Sequence, residues 1–150
     1  MIKHIWTVLA RESKIDADNN TISLIDLYEN LQFDVRVDEK EYEKNKKVGG
    51  PFNFEIVSLF YRDTKGKAEK ILVEVDLVDP KGEKLGTAEA NVEFKETHDR
   101  MRNRIKFTTI ALTTSGTYVF QVYMKKQENK KELLTAIPLD VALTVNGKKM

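Results

Sequence analysis

The clearest structural signal lies in residues 69–94, which read EKILVEVDLVDPKGEKLGTAEANVEF. Apolar and polar side chains alternate on both sides of the central Asp79-Pro80-Lys81-Gly82. Side chains of a strand point to opposite faces in turn, so each half is typical of a half-buried strand with one solvent-facing side. Asp-Pro-Lys-Gly matches a type I turn, because proline fixes φ at its second position and glycine suits its fourth. The stretch therefore predicts two strands joined by a tight turn.

The same alternation recurs along most of the chain, with turn residues such as Asp18-Asn19-Asn20 between the apolar runs. We expect eight strands, at about 2–12, 20–35, 52–62, 69–78, 84–94, 101–112, 116–126 and 133–145. Gly49-Gly50-Pro51 is expected to break the chain before the third strand. Many closely spaced strands without intervening helices predict an all-β fold, a two-layer antiparallel β-sandwich of the immunoglobulin-like kind.

Two segments allow a second interpretation. Residues 22–31 also place leucines and a tyrosine at helical spacing, although the β-rich Ile22-Ser23-Leu24-Ile25 favours a strand. Residues 38–47 carry four acids and four lysines. This charge-balanced segment predicts a mobile loop, with at most a transient helical turn from Glu–Lys pairs.

Composition limits the classes of function. A chain of 150 residues suits one domain, 1–150, with a charged loop at about 38–50. Its formal net charge of +1 disfavours a dedicated nucleic-acid binder. The absence of cysteine excludes disulfides, thiolate catalysis and cysteine-ligated metal. No signal-peptide pattern and no apolar run of membrane length is present, so we expect no membrane partner and a cytoplasmic location.

Three stretches together resemble a known pattern. They are Ile22-Ser23-Leu24-Ile25-Asp26-Leu27 after a short Asp/Asn turn, Pro51 to Leu59 leading on to Val75 to Gly82, and Gly116-Thr117-Tyr118-Val119-Phe120-Gln121-Val122. With them the chain resembles a family of small bacterial β-sandwich proteins catalogued only as a domain of unknown function. The resemblance implies the sandwich fold and no particular activity. The charged segment 38–47 departs from that family's pattern.

The sequence offers little catalytic chemistry. It contains two histidines, His4 and His98, too far apart for a His-x-x-x-His metal pair, and it lacks a Gly-x-Ser-x-Gly elbow and a phosphate-binding glycine-rich loop. We therefore expect no catalytic residue, no metal site and no cofactor, and a non-enzymatic interaction module that binds a protein partner. The alternative is a small-ligand or phosphate-ester enzyme built on the loop residues His98, Asp99 and Arg100.

The most suggestive feature is a row of cations at Arg100, Arg102, Arg104 and Lys106, which holds three of the chain's six arginines. In a strand these four project from one face, while Met101, Ile105 and Phe107 point to the other. One interpretation is a surface for an acidic partner or a phosphate-bearing ligand, since arginine pairs well with both. The other is an edge strand that charge protects from edge-to-edge pairing.

Two weaker hypotheses concern other partners. Nucleic-acid binding through the same four residues would make affinity fall steeply with salt. Self-association would use the sheet edges or a face such as Gln121 and Tyr123.

Overall fold

A computed structural model describes residues 1–127 and 130–150 and confirms the all-β fold. The strands are β1 Ile2–Ile15, β2 Ile22–Leu27, β3 Asn30–Val35, β4 Val48–Arg62, β5 Glu69–Val78, β6 Lys84–Phe94, β7 Arg100–Leu112, β8 Gly116–Gln127, β9 Lys130–Val145 and β10 Lys148–Lys149, with one helix, α1 Glu39–Asn45. In the part of the chain that is described, no helix is long and apolar enough to cross a membrane.

The strands form two sheets. The first has the order β2-β1-β4-β7, and the second has the order β10-β9-β8-β5-β6 with β3 added to β9. The chain changes sheet after β2, β3, β4, β6 and β7, so it crosses repeatedly between the two layers. This is the connectivity of an immunoglobulin-like sandwich. Among the described residues, pairing is antiparallel except between β3 and β9, which run parallel from Asn30 opposite Asp140 to Val35 opposite Val145.

The core lies between the two inner faces and follows the predicted alternation. Phe54, Ile56 and Phe60 of β4 project into it, and the alternate residues of β5, from Ile71 to Val75, meet them from the other sheet. Its largest fully buried side chains also include Phe94, Ile110, Leu112, Tyr118, Phe120, Leu139 and Leu143. Shortening any of these side chains would leave a cavity and destabilise the fold, so their packing holds the two sheets together.

A buried tyrosine closes one corner of the sandwich. The Tyr118 hydroxyl accepts hydrogen bonds from the backbone N–H groups of Thr113 (2.8 Å) and Thr114 (3.1 Å) and donates to the Thr114 carbonyl (2.7 Å). Thr113 in turn donates its hydroxyl to Asp79 at 2.9 Å. This tyrosine corner, a feature of immunoglobulin-like sandwiches, ties the β7–β8 crossing to the turn between β5 and β6.

The predicted strand 20–35 is two strands in different sheets. β2 continues the first hairpin, and β3 pairs with β9 in the second sheet. The chain turns at Asp26, whose φ is +53°, and the Tyr28 N–H donates to the Leu9 carbonyl before β3 begins. The sequence signal was a single apolar run, so the prediction missed the change of sheet; the strand interpretation of 22–27 is confirmed.

The charged segment is a helix, and the prediction of a mobile loop was wrong there. Asp38 caps α1 by accepting from the Glu41 N–H at 2.9 Å, and Lys46 ends it in the left-handed conformation. Gly49-Gly50-Pro51 also does not break the chain, because β4 already starts at Val48. A Cβ on Gly50 would lie 2.9 Å from Leu112 and Phe33, so glycine is needed for close packing.

Candidate functional site: the outer face of the first sheet

The predicted row of cations lies on β7, at the edge of the first sheet. Arg100, Arg102, Arg104 and Lys106 stand opposite Tyr61, Leu59, Val57 and Glu55 of β4 and share the outer face with them. Arg102 is half-buried and the other three are exposed. The structure therefore brings all four predicted residues together, and we call them the basic row. Their position at an edge fits both interpretations of the sequence.

The members of the basic row differ in their contacts. Arg102 donates to the side-chain oxygen (3.1 Å) and the backbone carbonyl (2.7 Å) of Asn20. Lys106 lies 3.7 Å from the buried carboxylate of Glu55. Arg104 reaches the Ser13 hydroxyl at 3.4 Å, and the Arg100 guanidinium lies 5.9 Å from the Tyr61 ring centroid. Within the described residues neither Arg100 nor Arg104 has a carboxylate at salt-bridge distance.

The β1–β2 hairpin reaches over this face and creates a groove. Its turn behaves as predicted, with Asn20 in the left-handed region at φ +55°, and the bonds from Arg102 hold that turn above β7. Val57 is fully buried although it points to the outer face. The resulting hairpin groove has a volume of about 920 Å³ and is lined by Ile5, Ile15, Asn19, Asn20, Leu59, Tyr61, His98, Arg100, Met101 and Arg102.

The lining of the hairpin groove combines apolar surface with positive charge. Ile5 and Ile15 are 51% and 41% exposed, although isoleucine is among the residue types most often buried. Arg100 and Arg102 supply the charge, and the lining residues given above include no carboxylate. Exposed apolar groups rimmed by polar ones often mark interaction sites. The groove thus suits a ligand that carries both carboxylates and apolar groups.

A buried arginine holds the start of β7, and sequence reasoning missed it. Arg62 is 3% exposed, and its guanidinium donates to the carbonyls of Lys67 (2.8 Å), Lys95 (2.8 Å) and His98 (2.9 Å). It also lies 5.4 Å from the centroid of the Phe94 ring. These bonds fix the loop that leads into the basic row. The alternation contained the signal, since Arg62 follows Phe60 on the inward-facing positions of β4.

Two of the three residues of the enzymatic alternative line the hairpin groove. His98 and Arg100 both line the hairpin groove, whereas Asp99 is not among its lining residues and accepts the Arg62 N–H with its carbonyl at 2.8 Å. His98 is exposed. Among the residues described, no group of three or more histidine, aspartate or glutamate side chains is placed to hold a metal ion.

His4 is half-buried on β1 in the first sheet. Its Nε2 lies 2.7 Å from the Thr7 hydroxyl, which lies 2.8 Å from that of Ser58. Burial lowers the pKa of His4, and a hydrogen bond with the backbone of Trp6 only partly opposes the effect. The neutral imidazole is therefore the form that suits the folded chain.

This arrangement predicts a pH dependence of stability. The unfolded chain binds the His4 proton more tightly, so the free energy of unfolding should fall as the pH drops from about 7.5 to about 5.5. Urea titrations of His4→Gln should show a smaller decrease over that range. His98→Gln, at an exposed site, is the control and should match the wild type. An equal slope in wild type and His4→Gln would contradict the assignment.

The outer face of the second sheet carries an ion-pair network that the alternation did not predict. The alternation of β5 predicts that Glu74 and Asp76 face solvent, yet they are 6% and 4% exposed. Lys131 pairs with both, Lys125 lies 2.9 Å from Glu74, and Thr87 donates to Asp76 at 2.7 Å. The hydrogen bond from Lys131 holds the pKa of Glu74 below its usual range. Lysines of the same chain thus already engage these carboxylates.

Comparisons with known proteins add little beyond the fold class. No family model matches the chain, and no curated protein is significantly similar to it. An immunoglobulin-like protein from Pseudomonas aeruginosa, known from a crystal structure, matches at 12% identity with a TM-score of 0.40. That match covers 94% of this chain and 96% of the other. The assignment of the sandwich rests on the strand topology of the chain itself.

Proposed function

We propose that this chain is a non-enzymatic binding module that takes up an acidic segment of a partner protein on the outer face of its first sheet. The observation that carries the proposal is the hairpin groove beside the basic row. It offers two arginines, exposed isoleucines and no carboxylate in its lining. Arginine is over-represented at protein interfaces because its planar guanidinium binds carboxylates in a bidentate manner and stacks on aromatic rings.

Electrostatics favours a protein segment over nucleic acid. The net charge of the chain is +1, so the positive charge of the basic row is local, and the Glu55 carboxylate of the neighbouring strand lies 3.7 Å from Lys106. A nucleic-acid strand needs several phosphates neutralised at once, whereas a short acidic segment needs only a few contacts. We further propose a cytoplasmic location and kinship with the bacterial β-sandwich family that the sequence resembles.

A charge-reversal experiment tests the proposal. The probe is a fluorescein-labelled peptide of glutamates interspersed with tyrosine and leucine, followed by fluorescence anisotropy. We expect Arg100→Glu/Arg104→Glu to weaken binding by about tenfold or more, because each variant side chain repels the probe. Arg36→Glu/Lys84→Glu makes the same charge change at exposed positions outside the basic row and the groove lining and is the matched control.

The outcomes distinguish binding at the basic row from attraction to the overall charge of the chain. The proposal is supported if Arg100→Glu/Arg104→Glu loses affinity for the peptide while Arg36→Glu/Lys84→Glu binds it nearly as well as the wild type. Equal losses in both variants would mean that the probe responds to overall charge, and an absence of measurable binding to the wild type would overturn the proposal directly. A peptide with lysine in place of every glutamate should not bind.

A further inference from the structure

A second opening lies at the free edge of β7, on the inner side of the same strand. β7 pairs with β4 on one side only, and β6 is likewise the last strand of the second sheet. Between these two edges an apolar slot of about 180 Å³ opens into the sandwich. We call it the edge slot. Its lining residues are Phe54, Val75, Leu77, Leu85, Gly86, Thr87, Ala88, Phe107, Thr109, Ile110, Ala111 and Phe120.

Small residues on β6 leave the edge slot unfilled. Gly86 and Ala88 stand opposite Leu77 and Val75 of β5 and so share their inward-facing side. A Cβ on Gly86 would meet no atom within 4 Å. In the wall of the slot contributed by β7, Phe107 stacks on Phe54 with ring centroids 4.6 Å apart and planes 7° apart. A cavity of about 150 Å³ already accepts a benzene ring, so one large apolar side chain fits this space.

The outer side of the same edge has the opposite character. Arg104 and Lys106 point outward from β7 just before Phe107 points inward. An edge strand also presents unpaired backbone N–H and C=O groups. One strand edge thus provides backbone hydrogen-bonding groups, an apolar slot on one face and cations on the other. An added strand directs its side chains alternately to these two faces.

We propose that the partner is an extended segment with alternating apolar and acidic residues, which adds as a strand to the free edge of β7. Its apolar side chain enters the edge slot while the acidic neighbours on either side lie along Arg104 and Lys106. The proposal rests on the proposed function, because it takes the acidic partner as given and specifies its conformation and residue pattern. Charge complementarity with the basic row selects an acidic segment over a second copy of this chain, whose net charge is +1.

Two peptides of identical composition test the pattern. In the first, glutamates alternate with phenylalanine and valine; in the second, the same residues are segregated into an acidic block and an apolar block. Anisotropy titrations should show the alternating peptide binding at least about tenfold more tightly, because only that pattern fits both faces of an added strand. Arg104→Glu/Lys106→Glu should weaken both peptides.

Variants that fill the edge slot provide a second test of the proposed strand addition. Ala88→Phe should remove the preference for the alternating peptide. Gly86→Leu should have the same effect and is an alternative, because a Cβ at Gly86 meets no neighbouring atom within 4 Å. Ala136→Phe places the same side chain at an exposed position on β9 and should keep it. Urea titration of each variant identifies the one that retains its fold, and the comparison uses that variant.

The outcomes distinguish this inference from the proposed function. Equal binding of the two peptides, with both lost in Arg104→Glu/Lys106→Glu, overturns the strand addition and leaves the acidic-segment module standing. No binding of either peptide overturns both. Self-association of the wild type in sedimentation experiments that disappears in Ala88→Phe would make a second copy the occupant and would overturn the proposal.

Discussion

Replacing Arg62 with methionine should lower the free energy of unfolding by about 3 kcal/mol, the largest loss we expect from a residue outside the apolar core. The change removes the donors to four backbone carbonyls, those of Lys67, Lys95, Glu96 and His98, while the methionine stem still packs near Phe94. Hydrogen bonds from a charged group contribute about 1.5–3 kcal/mol each, and hydration of the exposed loops recovers part of the total. Urea unfolding with an unchanged m-value is the measurement.

The same variant should affect the site. Arg62 holds the loop from Lys95 to Asp99 that leads into β7, so its loss should speed hydrogen exchange in that loop and weaken binding of the acidic probe. Arg36→Met, at an exposed arginine, should change stability by less than about 0.5 kcal/mol. A stability of Arg62→Met equal to that of Arg36→Met would contradict the role assigned to the buried guanidinium.

Replacing Tyr118 with phenylalanine should lower the free energy of unfolding by about 2 kcal/mol. The change keeps the buried ring but leaves the N–H groups of Thr113 and Thr114 without their acceptor at a corner where Tyr118 is 0% exposed. An unsatisfied buried polar group costs about 1–3 kcal/mol. The midpoint of urea unfolding should therefore shift to lower concentration.

Tyr123→Phe is the matched control for the tyrosine corner. Its hydroxyl donates to the Gln121 side chain at 3.0 Å, on the half-buried outer face of the second sheet. We expect its effect to stay below about 1 kcal/mol. If Tyr118→Phe were no more destabilising than Tyr123→Phe, the corner would not stabilise the crossing between β7 and β8.

The fold class followed from local alternation, because burial of one face of a strand leaves a period of two in the sequence. Residues 69–94 predicted both strands and the turn, and the structure has them as β5 and β6. The change of sheet between β2 and β3 was out of reach, since it depends on the pairing of Asn30–Val35 with a strand more than a hundred residues away. Helix α1 was missed because the balanced charge of residues 38–47 favoured a loop, and Asp38 was not recognised as a helix cap.

The candidate site was likewise predictable from the sequence only in part. The sequence predicted the basic row, since parity along one strand places Arg100, Arg102, Arg104 and Lys106 on one face. It could not predict the hairpin groove, which depends on Asn20 meeting Arg102 across 82 positions of the chain. The edge slot depends on the separation of two strand edges in different sheets, and a linear pattern contains no information about that distance.

The most direct test of the acidic-segment module is an NMR titration of the ¹⁵N-labelled chain with the glutamate-rich probe peptide. We predict that the shifts concentrate in β7, in the β1–β2 turn around Asn20, and at Leu59 and Tyr61, and that raising the salt concentration weakens them moderately. Shifts centred instead on the face of Glu74 and Lys131, or spread evenly over the exposed lysines, would contradict the account.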